Sequence, residues 1–244
     1  MDKMKVVVII PMYNECENAA AIIEAVLALP RPFDILVIDD NSPDGTAAIV
    51  KEKMAAHPGR VFIIERAGKL GLGTAYITGF KWALDNGYDL ICEMDADFSH
   101  NPNDLLKLCD EVESGRADVA VGSRYVTGVN VVNWPMGRVL MSYFASKYVR
   151  FITGIPVHDT TAGFVCYSAK VLRTIDLDSI RFKGYAFQIE MKYTAHKLGF
   201  RVAEVPIVFV NRVLGTSKMN SSIFGEAVLG VIKLRLSRPK PRKD

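Results

Sequence analysis

Five short apolar runs, at residues 5–10, 35–39, 61–65, 90–94 and 119–121, are rich in β-branched side chains and are separated for the most part by stretches of helical periodicity. A strand with one wet face alternates apolar and polar residues; these runs are almost continuously apolar, so both of their faces must be covered. Strands of that kind alternating with helices predict an α/β fold with a mostly parallel central sheet and helices on both faces. After about residue 130 the alternation gives way to a helical stretch at 137–152, a mixed segment at 159–168, a helix near 187–198 and a last helix at 221–236.

With 244 residues, half of them apolar and 23% charged, the chain can bury a substantial core, and no linker or repeat divides it. One domain over residues 1–236 is expected, followed by a basic tail at 237–244. The net charge of +3 is too small and too evenly spread for a nucleic-acid binder. Only the end departs from that balance, where Lys233, Arg235, Arg238, Lys240, Arg242 and Lys243 face the single acid Asp244. Cys16, Cys92, Cys109 and Cys166 form no C-x-x-C pair, so the spacing predicts buried thiols in a reducing compartment, without a zinc site or disulfide framework. The apolar run near the amino terminus is short and lacks a cleavage signal, which makes it a strand and not a signal peptide. No window reaches the ~18–20 apolar residues of a membrane-spanning helix. Work at a membrane would then require a surface seat or a membrane-protein partner.

Ligands of such sheets bind beyond the carboxyl ends of the strands, and those positions are unusually polar in this chain. The first strand is followed by Pro11, Tyr13, Asn14 and Glu15, and the second by Asp39, Asp40, Asn41, Ser42, Asp44 and Gly45. Asp95 and Asp97 follow the fourth strand, and Ser123 and Arg124 the fifth. Two carboxylates two residues apart on a turn can address one hard divalent cation, which in turn bridges diphosphate oxygens. An Asp-rich turn capping the next helix is the alternative, and the other polar strand ends favour the metal. Tyr13 beside Glu15 suits stacking and hydrogen bonding of a base. Residues 68–73 (Gly-Lys-Leu-Gly-Leu-Gly) lack the Lys-Ser/Thr of a phosphate loop and, with Tyr76 in place of the last glycine, fail the dinucleotide fingerprint. They predict a strand-to-helix loop near the donor.

The motifs at 11–15 (Pro-Met-Tyr-Asn-Glu), 39–46, 94–100 (Met-Asp-Ala-Asp-Phe-Ser-His), 122–125 (Gly-Ser-Arg-Tyr), 184–191 (Gly-Tyr-Ala-Phe-Gln-Ile-Glu-Met) and 209–218 (Phe-Val-Asn-Arg-Val-Leu-Gly-Thr-Ser-Lys) occur in order over nearly the whole chain. Together they resemble the inverting family-two glycosyltransferases of the GT-A fold and, within them, the polyprenol- or dolichol-phosphate mannosyltransferases. The resemblance implies transfer of mannose from GDP-mannose to a polyprenyl phosphate with Mg²⁺ or Mn²⁺. Residues 1–125 would form the nucleotide-sugar half and 126–236 the acceptor half. It implies that Pro11, Tyr13, Glu15, Ile38 and Asp40 hold the guanosine, and that Asp95, Ala96 and Asp97 hold the diphosphate, metal and mannose. Arg124, Arg212 and Lys218 would contact phosphates. Ser99 stands where some archaeal relatives carry a metal-ligating Gln, so the ligand set Asp95, Asp97 and Ser99 leaves its third member open.

A diphosphate sugar meeting a lipid phosphate brings three phosphates together, and Arg124, Arg138, Arg212 and Lys218 with a divalent ion could offset their repulsion, Arg138 and Arg212 on the acceptor side. The acceptor phosphate is already largely ionised near neutrality, its second pKa being about 6, so no strong base is required. Asp97 is then expected to be a metal ligand. Met141, Phe144, Ala145, Tyr148, Phe151 and Ile152 share one helical face opposite Ser142, Ser146, Lys147 and Arg150, and Phe224, Val228, Val231 and Ile232 repeat the pattern in the last helix. Those stripes either face the core or form an interfacial platform, which would seat the protein peripherally on the cytoplasmic face of a membrane. Two rivals remain: the same fold using a UDP-sugar, and a nucleotide-binding module without catalysis.

Overall fold

The computed structural model describes residues 4–184, 186–211, 223–237 and 239–242, with backbone only for 223–229. The first half runs β1 (Val6–Met12), α1 (Cys16–Leu27), β2 (Asp34–Asp39), α2 (Thr46–Ala56), β3 (Val61–Glu65), α3 (Leu72–Asp85), β4 (Leu90–Glu93), α4 (Asp104–Glu113) and β5 (Val119–Ser123). The second half runs β6 (Val131–Val132), α5 (Met136–Thr153), β7 (Val165–Ser168), α6 (Ala169–Thr174), α7 (Ala186–Lys197), β8 (Val202–Pro206), β9 (Phe209–Val210) and α8 (Ile223–Leu236). Seven strands form one sheet in the order β3-β2-β1-β4-β7-β5-β8, with β6 and β9 paired apart from it. All neighbours in the large sheet are parallel except β7, which runs antiparallel between β4 and β5.

The unbroken apolar runs have the expected cause. Val6, Val8, Ile10, Ile35 and Val37 join the core on one face of the sheet, with α1 and α4. Their chain neighbours Val7, Ile9, Leu36 and Ile38 join the core on the other face, with α3 and α7. Each strand thus feeds two cores at period two. Packing is close enough that a Cβ on Gly79 of α3 would lie 2.7 Å from Ile9 Cγ2, so only glycine lets that helix approach β1.

Pro11 lies beside Ile38, Met12 beside Asp39, and Asp39 in turn beside Glu65. That register brings the ends of β1, β2 and β3 level and places Tyr13, Asp40 and Arg66 in adjacent loops. Phe209–Val210 forms β9, which pairs with β6, and the edge strand β8 precedes it. Residues 239–242 of the expected basic tail are tied back to the body, with Pro241 bridged to Ile175 and the Arg242 N–H donating to Thr174 O at 2.8 Å. Among the described residues no helix is long and apolar enough to cross a membrane.

Candidate active site

Strain collects at one edge of the sheet. Of the four non-glycine residues with left-handed backbone among those described, Asn14 (φ 54°), Asn41 (φ 60°) and Phe98 (φ 58°) follow β1, β2 and β4. Asparagine tolerates that conformation; a phenylalanine there costs more, and such outliers cluster where side chains must be aimed.

Side-chain bonds tie the first two loops together. Asp39 accepts the Ser42 N–H at 3.0 Å and the Ser42 hydroxyl at 2.6 Å, while Ser42 Oγ accepts the Asn14 N–H at 3.0 Å. Asp44 accepts from the Thr46 hydroxyl at 2.6 Å and from the Cys16 N–H at 3.1 Å. Burial would raise the Asp44 pKa, but hydrogen bonds led by that from Thr46 outweigh it and bring it to about 2. Glu15 is buried, its N–H donating to Thr46 Oγ1 at 3.0 Å and its Oε2 accepting from Asn18 at 2.9 Å. Asp40 Oδ1 accepts from Arg66 Nε at 2.6 Å. Burial nevertheless lifts its pKa above the ordinary range, against the pull of Arg66. Lys69, in the loop before α3, lies 5.2 Å from the Tyr13 ring centroid. Pro11 and Ile38, paired across β1 and β2, form the floor between these groups.

After β4 the chain presents Asp95 with 41% of its side chain exposed, then buried Ala96, Asp97 and Ser99. Asp97 Oδ1 accepts the Ser99 N–H at 3.0 Å and the Ser99 hydroxyl at 2.5 Å. Ser99 therefore orients Asp97 directly. His100 stacks on Phe164, centroids 4.7 Å apart, and its Nδ1 accepts the Asp95 N–H at 3.2 Å. Burial pushes its pKa down to about 4, which keeps the ring neutral and able to accept.

Directly beneath, Glu93 at the end of β4 is wholly buried and accepts from Gln188 Nε2 of α7 at 2.5 Å. Burial raises its pKa to about 8. Lys192, one turn on, is also buried and donates to Ala162 O at 2.6 Å and Gln188 O at 3.1 Å, its pKa lowered by burial. Glu190 accepts the N–H groups of Arg181 and Phe182, both at 2.9 Å. The Gln188 and Glu190 pattern visible in the sequence thus braces the segment before α7 and the end of β4, two residues before Asp95.

Arg124 stands at the end of β5 as expected, but much of its guanidinium is committed. Nε and Nη2 each donate to the fully buried Asp159 at 2.6 Å, Nη2 also to Thr161 at 3.0 Å, and the Arg124 N–H to Asp159 at 2.9 Å. Trp134 and Phe209 lie 5.4 and 5.5 Å from its carbon. Arg138 on α5 lies 3.9 Å over the Trp134 ring and donates to Asn211 at 3.2 Å. Arg212 and Lys218 lie outside the described residues. Arg66, His100, Asp159 and Lys192 were not singled out from the sequence. Only His100, adjoining the carboxylate loop, carried a local signal; the others earn their places through partners at least 26 residues away or, for Lys192, through burial.

Residues 7–176 match the family model described as glycosyl transferase family 2. The chain is 47% identical over 97% of its length to a polyprenol monophosphomannose synthase of Mycolicibacterium smegmatis, covering 90% of that protein. It is 45% identical over 96% of its length to an undecaprenyl-phosphate mannosyltransferase of Micrococcus luteus, covering 95% of it. The fold resembles that of glucosyl-3-phosphoglycerate synthase from Mycobacterium tuberculosis, solved with Mn²⁺, UDP and glucosyl-3-phosphoglycerate. The TM-score is 0.68 at 18% identity, over 97% of this chain and 80% of that one.

Proposed function

The chain belongs to glycosyl transferase family 2, and on that footing we propose that it transfers mannose from GDP-mannose to a polyprenyl monophosphate with inversion, releasing GDP. The observation that carries this reading is the 47% identity, across nearly the full chain, to a polyprenol monophosphomannose synthase.

Tyr13 and Pro11 offer a face to the guanine, and Glu15 and Asp40, flanked by Ile38, accept from the nucleoside. The oxygen donors Asp95 and Asp97, with Asp97 steadied by Ser99, fit a hard divalent ion, Mg²⁺ or Mn²⁺. Such an ion supplies charge neutralisation at the diphosphate. Ala96, small and buried between the two carboxylates, leaves room for the sugar. An acceptor phosphate oxygen attacks the anomeric carbon as the bond from that carbon to the diphosphate oxygen breaks. No proton need be removed from an acceptor whose second pKa is about 6. His100, the histidine beside the loop, has Nδ1 occupied by the Asp95 N–H and a lowered pKa, which fits a positioning role. We assign Arg138 to the acceptor phosphate, together with Arg212 and Lys218, and give Arg124, held by Asp159, the part of a buried cation.

The lipid must reach this site from a membrane. On α5 the residues Met136, Leu140, Phe144 and Phe151 fall along one line, and Phe151 is 85%, Met136 71% and Phe144 59% exposed. The stripe expected from the sequence is split: Tyr148 and Ile152 pack against the α7–α8 core, while Phe144 and Phe151 project outward and Ser146 is buried. The exposed line supports a peripheral seat on a membrane surface, which we propose is its cytoplasmic face.

Calorimetric titration tests the donor assignment. GDP-mannose is expected to bind only with Mg²⁺ or Mn²⁺ present, and Asp97→Ala to lose most of that metal-dependent affinity. Tighter binding of UDP-glucose would overturn the choice of donor.

A further inference from the structure

Three cysteines distant in sequence meet in the core. Cys92 on β4 and Cys166 on β7 are partners across an antiparallel ladder, and Cys109 of α4 closes over them. Cys92 Sγ and Cys109 Sγ are 3.7 Å apart, and all three sulfurs lie within 4.8 Å of one another. All are buried, in a core of Val8, Leu108, Val112 and Phe164, and none serves the transfer chemistry above. The expectation of buried free thiols holds for these three, which the fold gathers into one group; Cys16 stands apart and is only partly buried.

We propose that this cluster is a binding site for a three-coordinate thiophilic centre, of which trivalent arsenic, presented as arsenite, is the best fit. Trivalent arsenic, with its lone pair, bonds three sulfurs as a pyramid; at a bond length of about 2.3 Å and angles of roughly 100° the sulfurs stand about 3.5 Å apart, close to the 3.7 Å between Cys92 and Cys109, with Cys166 drawn in from within 4.8 Å. Among the described residues no fourth His, Cys, Asp or Glu joins the group. The apolar surroundings offer no polar partners to hold a water, which disfavours tetrahedral Zn²⁺. Charge decides among the rest. Three thiolates leave a net charge of −2 around Cu⁺ and −1 around Zn²⁺, and uncompensated charge in an apolar core is costly. Arg31, close enough to sense Cys109 and Cys92, is already paired with Glu113 at 2.6 Å. Arsenite reacts without net charge: As(OH)₃ and three thiols give As(S–Cys)₃ and three waters, forming three As–S bonds and breaking three As–O bonds with no change of oxidation state.

Native mass spectrometry and arsenic-edge X-ray absorption on the reduced full chain test this. The expected result is one arsenic per chain, a mass gain of one arsenic less three hydrogens, and three sulfur neighbours. The adduct should be lost in Cys109→Ala and retained in Cys16→Ser. No adduct, fewer than three sulfur neighbours in the wild type, or preferential loading with Cu⁺ or Zn²⁺ in competition would overturn the proposal. The sulfur count is read on the wild-type protein and does not depend on the variant's folding.

Discussion

Removing the carboxylate of Asp159 should destabilise the protein more than any single exposed substitution. Asp159 is fully buried and accepts three hydrogen bonds from Arg124, two from the guanidinium and one from the backbone. Asp159→Ala leaves a buried guanidinium without its counter-charge, a loss of about 3–5 kcal/mol. For a chain of this size each kcal/mol moves Tm by roughly 2–4 °C, so the midpoint should fall by about 6–20 °C. Arg124→Leu should be damaging for the mirror reason. The double variant Arg124→Leu/Asp159→Leu should recover part of the loss, because neither charge is then stranded in the core. Urea unfolding of the wild type, both single variants and the double variant gives the coupling directly. A loss under about 1 kcal/mol in Asp159→Ala, or strictly additive variants, would refute the claim that the pair is the anchor of this part of the site.

Three further outcomes follow from the geometry. Ser99→Ala removes the hydroxyl bond to Asp97 but keeps the backbone one, so the metal concentration for half-maximal transfer should rise roughly 10- to 100-fold, with turnover at saturating metal little changed. An unchanged metal curve would count against Ser99 as the orienting group. Glu93 is held by burial at a pKa near 8 against an ordinary 4.5, so the stability it confers is complete below 4.5 and is lost as pH rises through 8. Lys192, lowered by burial, acts in the opposite sense, losing its contribution as pH falls through about 8. Subtracting the profile of Glu93→Gln isolates the Glu93 decline, expected to be on the order of a few kcal/mol across that window; parallel unfolding profiles would contradict it. Phe144→Ser with Phe151→Ser should weaken binding to anionic vesicles in a flotation assay while shifting stability by only about 0.5 kcal/mol per site. Undiminished flotation would remove the exposed line of α5 from the membrane-facing surface.

The parallel core of the fold was legible because continuous apolar strands have one structural explanation, two covered faces. The edge of the sheet that carries chemistry followed from where those strands end. What stayed hidden depends on distant pairing. Nothing local in Val165–Ser168 says that it inserts antiparallel between β4 and β5, and the half-exposed Val202–Pro206, interrupted by Glu204, has the weak pattern of an edge strand. Arg124 was visible as a cation at a strand end, but its engagement by Asp159, 35 residues on, was not. The α5 stripe was visible too. Periodicity alone could not tell which of its residues face α7 and α8 and which face solvent. Three cysteines without any motif spacing converge only because β7 returns beside β4.

Transfer of mannose to lipid can be followed with the purified protein. The purified protein and its Asp97→Ala variant would be incubated with polyprenyl phosphate in detergent, Mg²⁺ or Mn²⁺, and radiolabelled GDP-mannose, UDP-glucose or UDP-N-acetylglucosamine in separate reactions, and label in the organic phase counted. Metal-dependent lipid label from GDP-mannose alone, lost in Asp97→Ala, is the predicted result. Label from a UDP-sugar in its place, or none from any donor, would contradict the account.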